Sequence, residues 1–232
     1  MRLDKYLADM SLGTRSEVKD LIRKGKITVN EKTVKDASYQ VKDSDIVACS
    51  GQEVSYVEYE YYLLNKPQGY ICALEDKRHP VIMELIRSKR KDLVPVGRLD
   101  LDTEGAILIT NDGHLNHFLL SPKNHVPKTY YVETDKAIPE TAVELFAQGV
   151  DLGDFTAAPA ELRLLEERKA ELTIHEGKFH QVKRMFEKAG CTVTFLKRLR
   201  FGPLDLQGLP TGEYRSLSEE EINELKKDQP SD

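Results

Sequence analysis

Arg98, Asp100, Asp102 and Glu104 crowd into seven residues of the stretch V-G-R-L-D-L-D-T-E-G (residues 96–105), directly ahead of the apolar run 106–109. Charges held against a core are costly unless paired, so this concentration marks a candidate site. Alternating carboxylates before a glycine imitate a calcium loop, but such a loop needs an acid at its twelfth position, which here is Asn111, and a helix on each side. A second option is a carboxylate pair for glycoside hydrolysis, with Asp100 and either Asp102 or Glu104 as acid and base. The chain has no tryptophan to build a sugar platform. A third is a nucleophilic or basic carboxylate balanced by a cation. Burial raises an aspartate's pKa, and an adjacent Arg or Lys lowers it by roughly 1–3 units. Arg98, Lys183 and Arg184 are the candidate cations.

These residues need elements to hold them. Residues 61–64 read as a strand, leading into N-K-P-Q-G (residues 65–69), where Pro67 and Gly69 predict a turn with Lys66 at its mouth, either a phosphate contact or a solvated loop lysine. Residues 81–86 suggest a short helix, followed by a basic loop of Arg87, Lys89, Arg90 and Lys91. Pro95 and Val96 start a strand that carries Arg98, Asp100 and Asp102. Further strands are expected at residues 128–132 and 172–174, and helices at 140–148, at 182–188 with a stop near Gly190, and from the N-cap candidate Ser218 into a polar, disordered tip. The irregular alternation favours a mixed α+β fold over a doubly wound one.

The chain has 232 residues, 40% hydrophobic and 31% charged, which suits one or two globular domains. No apolar run approaches the roughly 20 residues that cross a bilayer, and the charged start lacks a signal-peptide pattern, so a cytoplasmic protein with no membrane partner is expected. Cys49, Cys72 and Cys191 show no C-x-x-C spacing, fitting a reducing compartment and neither a disulfide framework nor a zinc site. His114, His117 and His125 lack ligand spacing and read as surface or structural. The net charge of -5 opposes nucleic-acid binding on average, yet residues 1–34, 77–98 and 175–200 are each rich in Lys and Arg, which predicts a local basic face.

Residues 1 to about 58 form a module of their own, ahead of a linker over residues 51–60. Thr14 and Glu17 make a T-x-x-E capping box, Val18, Leu21 and Ile22 recur at helical spacing, and Gly25 stops the helix. Ile27 and Val29 alternate with polar residues, Asn30, Glu31 and Lys32 turn the chain, and Val34 resumes. Lys5, Arg15, Lys19, Arg23, Lys24 and Lys26 lie on or beside these elements and are candidate phosphate contacts. The order R-L-D-K-Y-L, T-R-S-E-V-K-D-L-I-R-K-G-K-I-T-V-N and V-K-D-S-D-I-V resembles the RNA-binding domain named after ribosomal small-subunit protein four. Glu31 stands where many members have glycine.

G-R-L-D-x-x-T-x-G (residues 97–105), N-K-P-x-G (65–69), K-T-Y-x-V (128–132), E-G-K-F-H-Q-V-K-R-M-F (176–186) and G-E-Y-R-x-L (212–217) resemble the RsuA-type branch of the pseudouridine synthases. With the first module, the likeness spans essentially the whole chain, and it implies a mixed, mostly antiparallel catalytic sheet over residues 59–232. It implies Asp100 as the essential catalytic residue, with Arg98 entering the space vacated by the target nucleotide. Tyr130 is implied to stack on the uracil and assist proton removal, and Lys183 to pair with the aspartate. The alternative for Tyr130 is a core aromatic. His180 and Gln181 either touch RNA or bridge a loop to a helix, and Arg184 is expected to contact RNA.

The reaction so implied breaks N1–C1′ and makes C5–C1′ with no redox change, so no cofactor, metal or nucleotide is expected. The base must leave its stack at a few kcal/mol, and one stacked aromatic returns roughly 1–3 kcal/mol. The resemblance, with Lys183 in H-Q-V-K-R-M, implies 16S rRNA or a small-subunit assembly particle as partner, by analogy the uridine 516 site, for a monomeric enzyme. The same reaction on 23S rRNA, and a non-catalytic RNA-binding or ribosome-assembly factor, remain alternatives.

Overall fold

The computed structural model describes residues 1–88 and 90–229, so Lys89 of the expected basic loop and the tip expected after the last helix at 230–232 lie outside the described residues. Its contacts divide the chain into Met1–Glu60 with Arg87–Leu93, and Tyr61–Ile86 with Val94–Asp232.

In the first unit, α1 (Leu3–Asp9) and α2 (Arg15–Arg23) pack on a four-stranded sheet of β1 (Ile27–Val29), β2 (Lys32–Thr33), β3 (Val47–Cys49) and β4 (Gln52–Glu53). The capping box forms as the sequence predicts: Glu17 N–H donates to the Thr14 hydroxyl and Thr14 N–H to the Glu17 carboxylate. Leu3, Leu7, Val18, Ile22, Ile27, Val29 and Val47 close a small core. Asn30 and Glu31 turn the β1–β2 hairpin with φ of 49° and 66°. Both lie in the left-handed region, which explains why glycine suits that turn and makes Glu31 a strained choice. The expected linker is partly structured: Gln52 and Glu53 pair with β3, and Tyr56 lies against Tyr6 with ring centroids 5.0 Å apart. Arg90 is not a solvated loop cation, because it is buried and bonds to Asp92 and to the Val57 carbonyl. Lys5, Arg15, Lys19, Arg23, Lys24 and Lys26 are all exposed.

The second unit is built on a mixed sheet. Its strands are β5 (Tyr61–Lys66), β6 (Val94–Pro95), β7 (Glu104–Thr110), β8 (Lys128–Thr134), β9 (Val150–Asp151), β10 (Thr156–Ala157), β11 (Glu161–Glu166), β12 (Lys169–Ile174), β13 (Val193–Phe201), β14 (Leu204–Asp205) and β15 (Tyr214–Ser216). The helices are α3 (Gly113–Leu120), α4 (Thr141–Ala147), α5 (Gln181–Lys188) and α6 (Glu219–Lys226). The main sheet runs β11-β12-β8-β13-β7-β5-β15, with β14 paired to β13 and β6 to β7, while β9 and β10 form a separate pair. Every pairing in the main sheet is antiparallel except β13 with β7. A mixed, mostly antiparallel α+β fold is therefore what the chain adopts. Leu63, Ala106, Leu108, Leu115, Phe201 and Leu225 fill one core of this unit.

One departure from expectation concerns the charged stretch. The strand anticipated from Pro95 through Asp102 ends at Pro95, and the chain then turns, with Thr103 N–H donating to the Asp100 carbonyl at 3.1 Å. Gly97, at φ 76°, permits the bend. The residues expected to alternate along a strand instead fan out from a turn just ahead of β7. Residues 81–86 tighten into a short 3₁₀ turn at Ile82–Leu85 rather than an α-helix.

A single rung crosses five strands: Leu172 pairs with Tyr130, Tyr130 with Arg198, Arg198 with Gly105, and Gly105 with Lys66. The parallel step is tight. A Cβ on Gly105 would sit 2.1 Å from the Arg198 carbonyl oxygen, and φ is +111°. Gly105→Ala is therefore expected to cost more than about 2 kcal/mol, combining backbone strain with a backbone clash. Urea unfolding checks it, and a loss below about 0.5 kcal/mol would mean that β7 and β13 separate easily.

Candidate active site

Lys66 sets the local geometry. Its side chain is 0% exposed, and its ammonium donates to the carbonyls of Pro67 (3.0 Å), Asp100 (3.0 Å) and Thr103 (2.8 Å). Burial pushes this ammonium below the ordinary lysine range, with nearby Cys72, Asp102, Asp100 and Glu104 opposing. Expected as a phosphate contact, Lys66 instead lies beneath the Asp100 turn, where solvent does not reach it. Gly69 of N-K-P-x-G serves the same turn, its N–H donating to the Leu101 carbonyl at 2.8 Å, while Asn65 ties down a different loop at Leu209. Cys72 adds a further anchor, its sulfur accepting from Leu99 N–H at 3.2 Å.

Above that support the carboxylates meet α5. Lys183 Nζ lies 3.1 Å from Asp100 Oδ2 and 2.7 Å from Asp102 Oδ1. Lys183 is in the first turn of its helix, where the macrodipole disfavours a cation, and two carboxylates offset that cost. Burial works against the charge on Lys183, yet the bonds to Asp102 and Asp100 hold it above its usual range. Asp102 is likewise held low by Lys183 in spite of burial. Asp102 therefore belongs to this cluster. Glu104 faces elsewhere, toward Lys197 at 3.5 Å.

Tyr130 is buried on β8 and lines the same cleft as Asp100, Lys183 and Arg98. Arg98 stands exposed at its rim. His180 reaches in as well, its Nε2 3.5 Å from Asp100 Oδ2. Gln181 acts as a loop clamp: its side chain donates to Glu176 at 2.7 Å and accepts from Lys178 N–H at 3.1 Å.

Arg184 points away from this cluster. It pairs with Asp154, donates to the Leu152 carbonyl at 2.8 Å and lies over the Phe155 ring, so contact with RNA would require breaking an internal tether. Two residues overlooked in the sequence also line the cleft. Lys128 is pushed down to about 8 by burial, with Arg198 adding repulsion, and Arg198 is 2% exposed with its Nε donating to the Ala106 carbonyl. The signal for Lys128 was its place in K-T-Y, two residues before Tyr130 on the same strand face.

The family model described as RNA pseudouridylate synthase matches residues 60–188, more than half of the chain and the whole span from Lys66 to Lys183. The chain belongs to this family. A second model, the S4 domain, matches residues 1–47 of the synthase. The uncharacterized RNA pseudouridine synthase YtzG of Bacillus subtilis (strain 168) is 42% identical to the synthase, over 99% of this chain and 100% of its own. Ribosomal small subunit pseudouridine synthase A of Vibrio vulnificus (strain CMCP6) is 40% identical over 98% of this chain and 100% of its own. Ribosomal large subunit pseudouridine synthase B of Bacillus subtilis is 37% identical over 97% and 95%. A crystal structure of a pseudouridylate synthase superposes with a TM-score of 0.69 at 36% identity, covering 97% of the synthase and 99% of that chain.

The position of Lys66 separates support from RNA contact. Lys66→Met in the synthase leaves three carbonyls without their donor and is expected to cost at least about 1–3 kcal/mol of stability, the range for one buried polar group left unpaired. The log-log salt dependence of RNA binding stays unchanged, whereas a lost phosphate contact on single-stranded RNA lowers the slope by about 0.7. A salt titration of binding decides between the two.

Proposed function

We propose that this pseudouridine synthase isomerises one uridine of 16S rRNA, by analogy the uridine 516 site, with Asp100 as the reacting carboxylate. The observation that carries the site assignment is the 3.1 Å contact between Lys183 and Asp100 in a cleft lined by Tyr130. Isomerisation detaches C1′ from N1, joins it to C5 and removes the C5 proton. A carboxylate beside a fixed cation suits either attack or proton abstraction, and Lys183 keeps that negative charge tolerable in a half-buried place. Tyr130 offers a rigid aromatic wall on which an extruded uracil stacks. Arg98, exposed at the rim, is suited to enter the space the nucleotide leaves and to meet its phosphate. The exposed cations Lys5, Arg15, Lys19, Arg23 and Lys24 give the first unit a phosphate-binding side, in keeping with its S4 match.

The small-subunit reading is supported by the full-length likeness to synthase A and by lysine, not arginine, at position 183 in H-Q-V-K-R-M. The likeness to a large-subunit synthase B favours, as the second reading, the same reaction on 23S rRNA.

Asp100→Asn is expected to abolish tritium release from 5-tritiated uridine RNA while RNA binding persists. Undiminished release in that variant would remove Asp100 from the chemistry. Carbodiimide mapping of both rRNAs, from cells with and without the gene, reads the substrate: a site lost from 16S supports the proposal, and one lost from 23S alone overturns it.

A further inference from the structure

Phe179 is 72% exposed, the most exposed of the large apolar side chains among the described residues. A single exposed apolar side chain is ordinary on a protein surface, and Phe179 stands out by the way it is held there. Its posture is fixed. The ring stacks on His180 with centroids 3.8 Å apart and planes inclined by 18°, and at that exposure its other face is open to solvent. His180 adopts a left-handed backbone at φ 50°, and Gln181 clamps the loop from beneath. His180 lines the cleft and lies 3.5 Å from Asp100, so the stacked pair runs from the carboxylate outward to the rim. Beside it on the chain is Lys178, an exposed cation.

An aromatic face next to a cation is the chemistry that holds single-stranded nucleic acid, the ring taking a base and the ammonium its phosphate. We infer that Phe179 is a stacking platform for the unpaired base adjacent to the target uridine, with Lys178 meeting the intervening phosphate. The inference rests on the proposed RNA-modifying reading and adds to it a residue that grips the substrate outside the reacting cleft. Extruding one nucleotide breaks the stack of its neighbour, and the open face of Phe179 replaces the lost partner for that neighbour. The ring then lowers the cost of presenting the uridine without touching the reacting atoms.

The test compares Phe179→Ala, Phe179→Leu and Phe179→Trp with the unaltered protein on rRNA fragments. Tritium release gives KM and kcat on whichever rRNA fragment the unaltered protein modifies. The quenching of 2-aminopurine placed next to the target uridine reports stacking. The alanine and leucine variants are expected to raise KM about 5- to 100-fold, the range alanine substitution of a stacked aromatic gives. They lose the quenching and keep kcat within about twofold, and tryptophan restores both affinity and quenching. Three results would each overturn the inference: KM within about twofold for alanine, full retention by leucine, or a fall in kcat at constant KM, which marks Phe179 as a support for His180. The Kd of the same variants for a single-stranded 16S fragment needs no turnover. Failure of the unaltered protein to act on 16S rRNA therefore counts against the substrate assignment and leaves the stacking result to be read separately.

Discussion

A buried ammonium under a chain of carbonyls organises this site. A lysine with no exposed surface loses most of its hydration, and Lys66 recovers it from three backbone oxygens, two of them at the ends of the turn that projects Asp100. The turn needs this arrangement because its carbonyls converge in a place where no strand partner is available to them. The result is a loop whose backbone carbonyls are satisfied as they would be in a secondary-structure element, although its residues belong to none. The neighbouring glycine of β7 extends the same constraint sideways, since the close approach of the Arg198 backbone is possible only where a side chain is missing.

Electrostatics then divides the labour among residues of one type. Two aspartates share Lys183, whose place at the start of a helix would be unfavourable without them. The nearer carboxylate, Asp102, is held low by this pairing and is the more exposed of the two. Asp100 sits deeper, between Lys183 and His180. The second acid thus carries part of the compensation for the cation and leaves the first directed into the cleft. Lys128, on the strand of Tyr130, and Arg198, across from Tyr130 on β13, line the same cleft, and both lie over the Phe201 ring.

Local pattern was enough for much of the fold. The capping box at Thr14, the N-cap at Ser218, the stops at Gly25 and Gly190, and the strands around Leu63 and Tyr130 all follow from periodicity and end signals over a few residues. Family motifs placed Asp100, Tyr130 and Lys183 together, and the geometry puts all three on one cleft. Other features escaped, some because their cause lies far along the chain and some because a local turn overrode the alternation. Lys66 looks like any loop lysine until the turn more than thirty residues later folds over it. The longest strand, β13, carries Lys197, Arg198 and Arg200 and two register shifts, which break the two-residue alternation by which strands are read. The strand expected through Asp102 failed because Gly97 and the Asp100–Thr103 hydrogen bond turn the chain where alternation suggested extension.

The parallel join between β7 and β13 in the main sheet has a kinetic meaning. It couples residue 105 to residue 198, and an antiparallel hairpin cannot bridge such a gap. Lys183, the lysine bonded to the Asp100 carboxylate, lies 83 residues later on α5, and Arg198, the β13 neighbour of Tyr130, comes later still. Contacts of such long sequence separation form late, after loop-closure entropy has been met. During synthesis Asp100 therefore emerges well before the groups that complete its cleft. The cleft is completed only by the last third of the chain, where α5 brings Lys183 to Asp100 and Asp102 and β13 then pairs beside Tyr130.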